Sequence, residues 1–115
     1  DKITILQIKL AHISDAAKRI NIQNELDALL PLVASDTFTT DQMQGLIAEL
    51  KAVNEVLWKI EDDIREKEAA KNFNAEFIRL ARSVYITNDK RAEIKKQINL
   101  ATGSDLVEEK LYESY

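Results

Sequence analysis

There is no cysteine in the chain, which excludes a disulfide framework and any thiolate metal site. Proline occurs once and glycine twice, too few for the many tight turns of a β-sandwich or small barrel. No apolar run approaches the roughly 18 residues of a membrane-spanning helix, and no basic-then-apolar leader opens the chain. Cytoplasm is the expected location, with no membrane span. Catalytic signatures are missing too. There is no glycine-rich phosphate loop, HExxH, nucleophile elbow or EF-hand pattern. No cofactor, metal or catalytic residue is assigned.

What remains is a 115-residue chain, 45% hydrophobic and 31% charged. That is a soluble composition with enough material for one domain, residues 1–115, around a modest core. The net charge of -4 argues against a nucleic-acid partner. A basic set, Lys90, Arg91, Lys95 and Lys96, lacks the aromatic interleaving that RNA binding would add. The chain opens at Asp1 with a helical pattern already present at Ile3 and Leu6, so further residues are expected upstream.

The organising stretch is Leu46 to Thr102, which holds neither Pro nor Gly. Leu46, Leu50, Val53, Leu57, Ile60 and Ile64 alternate spacings of four and three, the seam of a helix packed on other helices at a shallow angle. Strand alternation is absent. The fold class is therefore all-α: an antiparallel bundle of three or four helices, two of them long, with an ordered C-terminal tail. The first long helix covers 39–70. Thr39 is its expected N-cap, with Gln42 closing a capping box and Phe38 stapling to Met43. The second covers 74–102, from an N-cap at Asn74 to a C′ glycine at Gly103. Val84, Ile86 and Thr87 lower helix propensity in its middle, where a kink or second N-cap at Thr87 could form.

Residues 1–33 carry two apolar stripes. Ile3, Leu6, Leu10, Ile13, Ala17 and Ile20 form one; Ile22, Leu26, Leu29 and Val33 form the other. At 100° per residue they point to nearly opposite sides. Either the segment is two helices, broken near Ser14–Asp15 where a cap is available, or one straight helix buries both sides, one of them against another subunit. Pro31 ends the region.

Beside the long seam runs a polar column: Asn54, Trp58, Glu61 and Arg65. Antiparallel packing brings His12 to the level of Trp58 and Glu61, Tyr85 opposite Trp58, and Asn88 or Asp89 opposite Asn54. The candidate cluster is His12, Asn54, Trp58, Glu61, Arg65, Tyr85, Asn88 and Arg91, with Lys9 beside it. Three roles are open to it. It could be a buried polar layer that fixes register, a ligand pocket, or a network between subunits. The acidic run Glu61–Asp62–Asp63 by itself reads as a solvated face. Glu61 is expected within salt-bridge reach of Arg65 or Arg91, with Trp58 largely buried. The carboxylate blocks by which all-helical nucleotide pyrophosphatases hold magnesium are absent, since the doublet Glu108–Glu109 lies in the tail.

Four segments together resemble an uncharacterised bacterial family of small helical proteins. They are Asp1–Lys9, Leu57–Arg65, Tyr85–Lys95 and Gly103–Lys110, so the resemblance covers essentially the whole chain. It implies a short extended segment ahead of Asp1 and, for some members, genes near those for glycosyltransferases and cell-surface polysaccharide. It implies no activity. The chain departs from the family pattern at Ala16, where Pro is expected; that Pro would suit a helix start after Asp15.

The leading expectation is a non-enzymatic, self-associating helical interaction module, a homodimer with room for another protein partner, with the resemblance implying a link to surface-polysaccharide assembly. The alternative is a small enzyme or ligand binder that holds an anionic sugar or nucleotide with the Trp/Glu/Arg cluster, Glu61 or His12 acting as acid–base group. The acidic tail, residues 103–115, is expected to dock Glu108 or Glu109 near a base of the second long helix or of a neighbouring subunit.

Overall fold

The computed structural model describes residues 1–34 and 37–103. Four α-helices follow one another: α1 (Lys2–His12), α2 (Ala16–Leu29), α3 (Asp41–Ala69) and α4 (Ala75–Ala101), with a 3₁₀ turn over Leu30–Val33. The described residues contain no strand, and the chain is an all-α helical bundle. The ordered tail expected after Gly103 lies outside the described residues.

The region 1–33 breaks, as the capping chemistry at Asp15 permits. Ile13 leaves the helix in extended conformation, and the Asp15 carboxylate accepts the Lys18 N–H at 2.9 Å. Arg19 reaches back across the break, donating to the carbonyls of Leu10 and, at 2.8 Å, Ile13. Those are carbonyls that the end of α1 leaves without helical partners, so a cation there also suits the helix dipole. The break reverses the chain, and α2 folds back on α1, tied by Lys2–Glu25 at 2.7 Å.

The break also explains the fate of the two stripes. Leu6 is buried and Ile3, Leu10 and Ile13 half-buried, but beyond the break Ala17 and Ile20 are exposed. The second stripe takes over on α2: Leu26 is buried and Ile22, Leu29 and Val33 are half-buried. On α1 the buried residues are Thr4, Leu6 and Ile8. Leu6 points about 200° away from either neighbour, so α1 is covered from opposite sides, by α2 and by α3.

The long helices start and stop close to the expected places. α3 begins one residue later than expected: Thr40, not Thr39, is the N-cap, accepting the Met43 N–H at 3.2 Å. Gln44 secures the entry by donating to the Phe38 carbonyl at 2.7 Å, in place of a Gln42 capping box. The end of α3 is a Schellman motif. Asn72 N–H bonds Lys67 O, Lys71 N–H bonds Glu68 O, and Lys71 takes φ 54. Asn74 caps α4 through Phe77 N–H at 3.1 Å, and Gly103, φ 70, closes it. α4 runs as one continuous helix past Thr87, with no second N-cap there. Thr87 is buried, and packing along the whole hairpin overrides its modest helix propensity.

α3 packs antiparallel on α4, α1 on α3, and α2 on α1. Among the described residues the packing order is therefore α2, α1, α3, α4, and α2 makes no extended contact with α4. The described molecule measures 48 × 41 × 22 Å with a radius of gyration of 16.4 Å, against roughly 13 Å for a compact chain of this length. Its core is correspondingly small: Leu6, Ile8, Leu26, Met43, Leu46, Leu50 and Ile60.

Candidate functional site

The polar centre of the molecule is built where α1 crosses α3. Asn54 occupies a core position of α3, between Leu50 and Leu57, and is buried. Its amide donates to the Thr4 hydroxyl at 2.9 Å and to Asp1 Oδ1 at 3.0 Å. Thr4 in turn donates to the Asp1 carbonyl at 2.7 Å. Arg91 comes across from α4, donating through Nε to Asp1 Oδ1 at 3.3 Å and through a second nitrogen to Oδ2. Lys95 stands 3.8 Å from the same carboxylate. Asp1 thus links α1, α3 and α4. Among the described residues no buried side-chain polar atom lacks a partner, so this layer is closed. The Asp1 α-amino group lies there too. Burial first, then Lys95 and Arg91, push its pKa below its ordinary value.

Beside this layer runs an open groove of about 520 Å³, lined by Ile5, Ile8, Asn54, Leu57, Trp58, Glu61, Asp62, Arg65 and Arg91. Its floor is apolar and its rim carries both signs of charge. His12 stacks on Trp58 with ring centroids 5.1 Å apart and planes 20° apart. Trp58 is half-buried and His12 exposed.

Of the expected cluster, then, Asn54, Trp58, Glu61, Arg65 and Arg91 line the groove, and His12 joins through Trp58. Glu61 pairs with Arg65 at 3.1 Å, one helical turn on, and both are exposed. Arg91 turns to Asp1 rather than to Glu61. Tyr85 and Asn88 do not line the groove: Tyr85 is 42% exposed, and its hydroxyl accepts from Arg82 at 3.4 Å. The hydrogen-bond partners of Asn54 are Asp1 and Thr4 of α1, and the break at Ser14–Asp15 lets α1 run in the same sense as α3. A straight segment joined through residue 35 would have run antiparallel. Asp1, Thr4 and Lys95 were missed. Thr4 interrupts no stripe and Asp1 reads as a helix cap, so neither carried a periodic signal. Of the basic set on α4, Arg91 and Lys95 face Asp1.

Fold and site define a small all-α protein in which a closed polar layer holds two helical hairpins together beside an open, apolar-floored groove. The chain belongs to a family of unknown function, DUF6165, whose profile matches residues 1–115. No curated protein and no solved structure matches it.

Among the described residues, no helix is long and apolar enough to cross a membrane. No group of three or more His, Asp or Glu side chains is placed to hold a metal ion.

Proposed function

We propose that the protein is a non-enzymatic helical interaction module that associates with itself. The observation that carries this reading is the open packing order. Among the described residues the helices at the two ends of the row share no extended contact, and large apolar side chains are exposed: Ile20 at 61%, Leu32 at 67%, Ile78 at 57% and Leu100 at 63%. Where exposed apolar residues form a contiguous patch, the patch marks a contact with a partner, and a symmetric dimer is the commonest solution. Both acid–base candidates sit in settings that favour a structural role. Glu61 is an exposed partner of Arg65 on its own helix, and His12 lies flat on Trp58. A cytoplasmic setting and service in cell-surface polysaccharide assembly belong to the same proposal, the latter resting on the family resemblance. Light scattering at micromolar concentration tests the core of it. The expected mass is about twice the 13.1 kDa of one chain; a monomer mass would refute self-association.

The groove supports a second reading, a binder of anionic sugars or nucleotides. Trp58, Arg65 and Arg91 line it, the residue types that stack on rings and pair with phosphates. It ranks second because each arginine already holds a carboxylate, and Glu61 and Asp62 share the rim. Trp58 is the sole tryptophan, so titration with a nucleoside diphosphate sugar should change its fluorescence saturably if this reading holds. A flat titration at millimolar ligand would reject it.

A further inference from the structure

The groove has a cation at each end. Arg91 of α4 stands level with Asn54, since both hold the same carboxylate oxygen of Asp1. Arg65 stands at the other end, three turns further along α3, roughly 17 Å away at the helical rise. Between them lies the apolar floor of Ile5, Ile8, Leu57 and Trp58. Both arginines keep donors for a further carboxylate. A guanidinium carries five N–H groups. Among the described residues, Arg65 gives Nε to Glu61, and Arg91 gives Nε and one terminal nitrogen to Asp1. Glu61 and Asp62 also line the groove, between the two cations. They disfavour any occupant whose own carboxylates fall midway along it.

The direction of α4 says what can span this distance. α4 runs back from the hairpin turn past Arg91 and closes at Gly103, roughly 18 Å beyond Arg91 at the helical rise. The sequence continues from there through Glu109–Lys110–Leu111–Tyr112–Glu113. In an extended segment successive side chains point to opposite sides, at roughly 3.3 Å per residue. Glu109, Leu111 and Glu113 then share one side. If the segment turns back along α4, Glu109 lies roughly 20 Å from Gly103, at the level of Arg91. Leu111 falls roughly 26 Å out, on the floor beside Trp58, and Glu113 roughly 33 Å out, close to the level of Arg65. We propose that residues 109–113 of the same chain occupy the groove, with Glu109 on Arg91, Leu111 on the apolar floor and Glu113 on Arg65. The match is position by position: acid, apolar, acid against base, apolar, base. A slip of one residue turns Glu108, Lys110 and Tyr112 inward and leaves Arg65 facing no acid. Leu111 supplies the apolar contact, and the two charge pairs set the register.

The absence of native cysteine makes the test clean. The full chain carrying Ile5→Cys with Leu111→Cys is oxidised mildly and resolved on a non-reducing gel. The expected product is a disulfide within one chain, at monomer mass. It should form faster than in a chain carrying Ile20→Cys with Leu111→Cys, because Ile20 lies exposed on α2, outside the groove. Equal rates for the two pairs, or linkage only between chains, would overturn the proposal. Trp58, the sole tryptophan, reports the groove without any cysteine. Leu111→Asp should shift its emission to the red and raise its quenching by acrylamide, with the helical circular dichroism kept. Unchanged emission and quenching would also overturn the proposal. Charge exchange reads the register. Glu113→Arg should shift the emission in the same direction, and adding Arg65→Glu should restore the parent spectrum. A double variant no closer to the parent than Glu113→Arg alone would remove Glu113 from Arg65 and the proposed register with it.

Discussion

The Asn54 amide donates to the Thr4 hydroxyl at 2.9 Å, joining α3 to α1 across fifty positions of sequence. It is a buried bond between neutral groups in a core whose apolar members are Leu, Ile and Met. The same amide holds the Asp1 carboxylate, so one side chain sets both the height and the rotation of α1 on α3. A Leu at position 54 would bury more apolar surface and specify neither. Asn54→Ala is expected to cost about 1–3 kcal/mol, the range for stranding buried polar partners. Asn54→Asp should cost more at neutral pH, because it sets a carboxylate against that of Asp1. Repulsion raises the pKa of the new group in the folded state, so the loss should shrink as pH falls through the carboxylate range. Urea titrations at two pH values measure this; equal losses for both variants at neutral pH would remove the Asp1 contact from the account.

The Asp1 amine gives a second pH dependence, of opposite direction. In a polypeptide that begins at Asp1, folding lowers this pKa from about 8.0, through burial and the nearby Lys95 and Arg91. The unfolded chain then binds more protons between the two values, so stability rises with pH across that window. The penalty is full below the folded value and gone above the unfolded one. One residue added ahead of Asp1 turns the amine into an amide and should flatten this part of the profile. An unchanged slope in the extended chain would assign it to another group.

Two backbone positions are occupied by the less suitable residue. Gly45 lies inside α3 with nothing within 4 Å of an added Cβ, so Gly45→Ala should stabilise by about 0.5–1 kcal/mol. Lys71 takes φ 54 at the end of α3, a conformation that costs a side-chain-bearing residue roughly 1–2 kcal/mol. Lys71→Gly should recover part of that, up to about 1 kcal/mol, because glycine loses more backbone freedom on folding. The sites are a full helix apart, and thermal melts of the double variant should show additive shifts.

The two arginines of the groove should separate by burial. Arg65 and Glu61 form an exposed pair, and Glu61→Ala should cost under about 1 kcal/mol. Arg91 is 27% exposed and Asp1 21%. Arg91→Ala should cost about 1–3 kcal/mol, since it takes the main cation from a half-buried carboxylate. It should also be the less salt-sensitive of the two contacts. Denaturant midpoints at low and high salt decide; equal losses would mean the Asp1 clamp contributes little.

The sequence by itself determined the helices. Four-and-three spacing can be satisfied only by a helix, and Asp15, Asn74 and Gly103 supply local stop and start chemistry that needs no tertiary partner. It also put Asn54, Trp58, Glu61 and Arg65 on one edge, because residues three and four apart on a helix must be neighbours. Tertiary structure decided which of these residues meet across helices. The break after His12 was one of two locally acceptable options, and choosing it reversed α2, set α1 in the same sense as α3 and delivered Asp1 and Thr4 to Asn54. Tyr85 fell outside for a related reason. A periodic pattern fixes angles around one helix axis, but the rotation of α4 against α3 depends on which side chains fill the seam between them, and Thr87 took that place. Helix ends and faces are short-range properties, whereas the closed polar layer follows from the order in which whole helices pack.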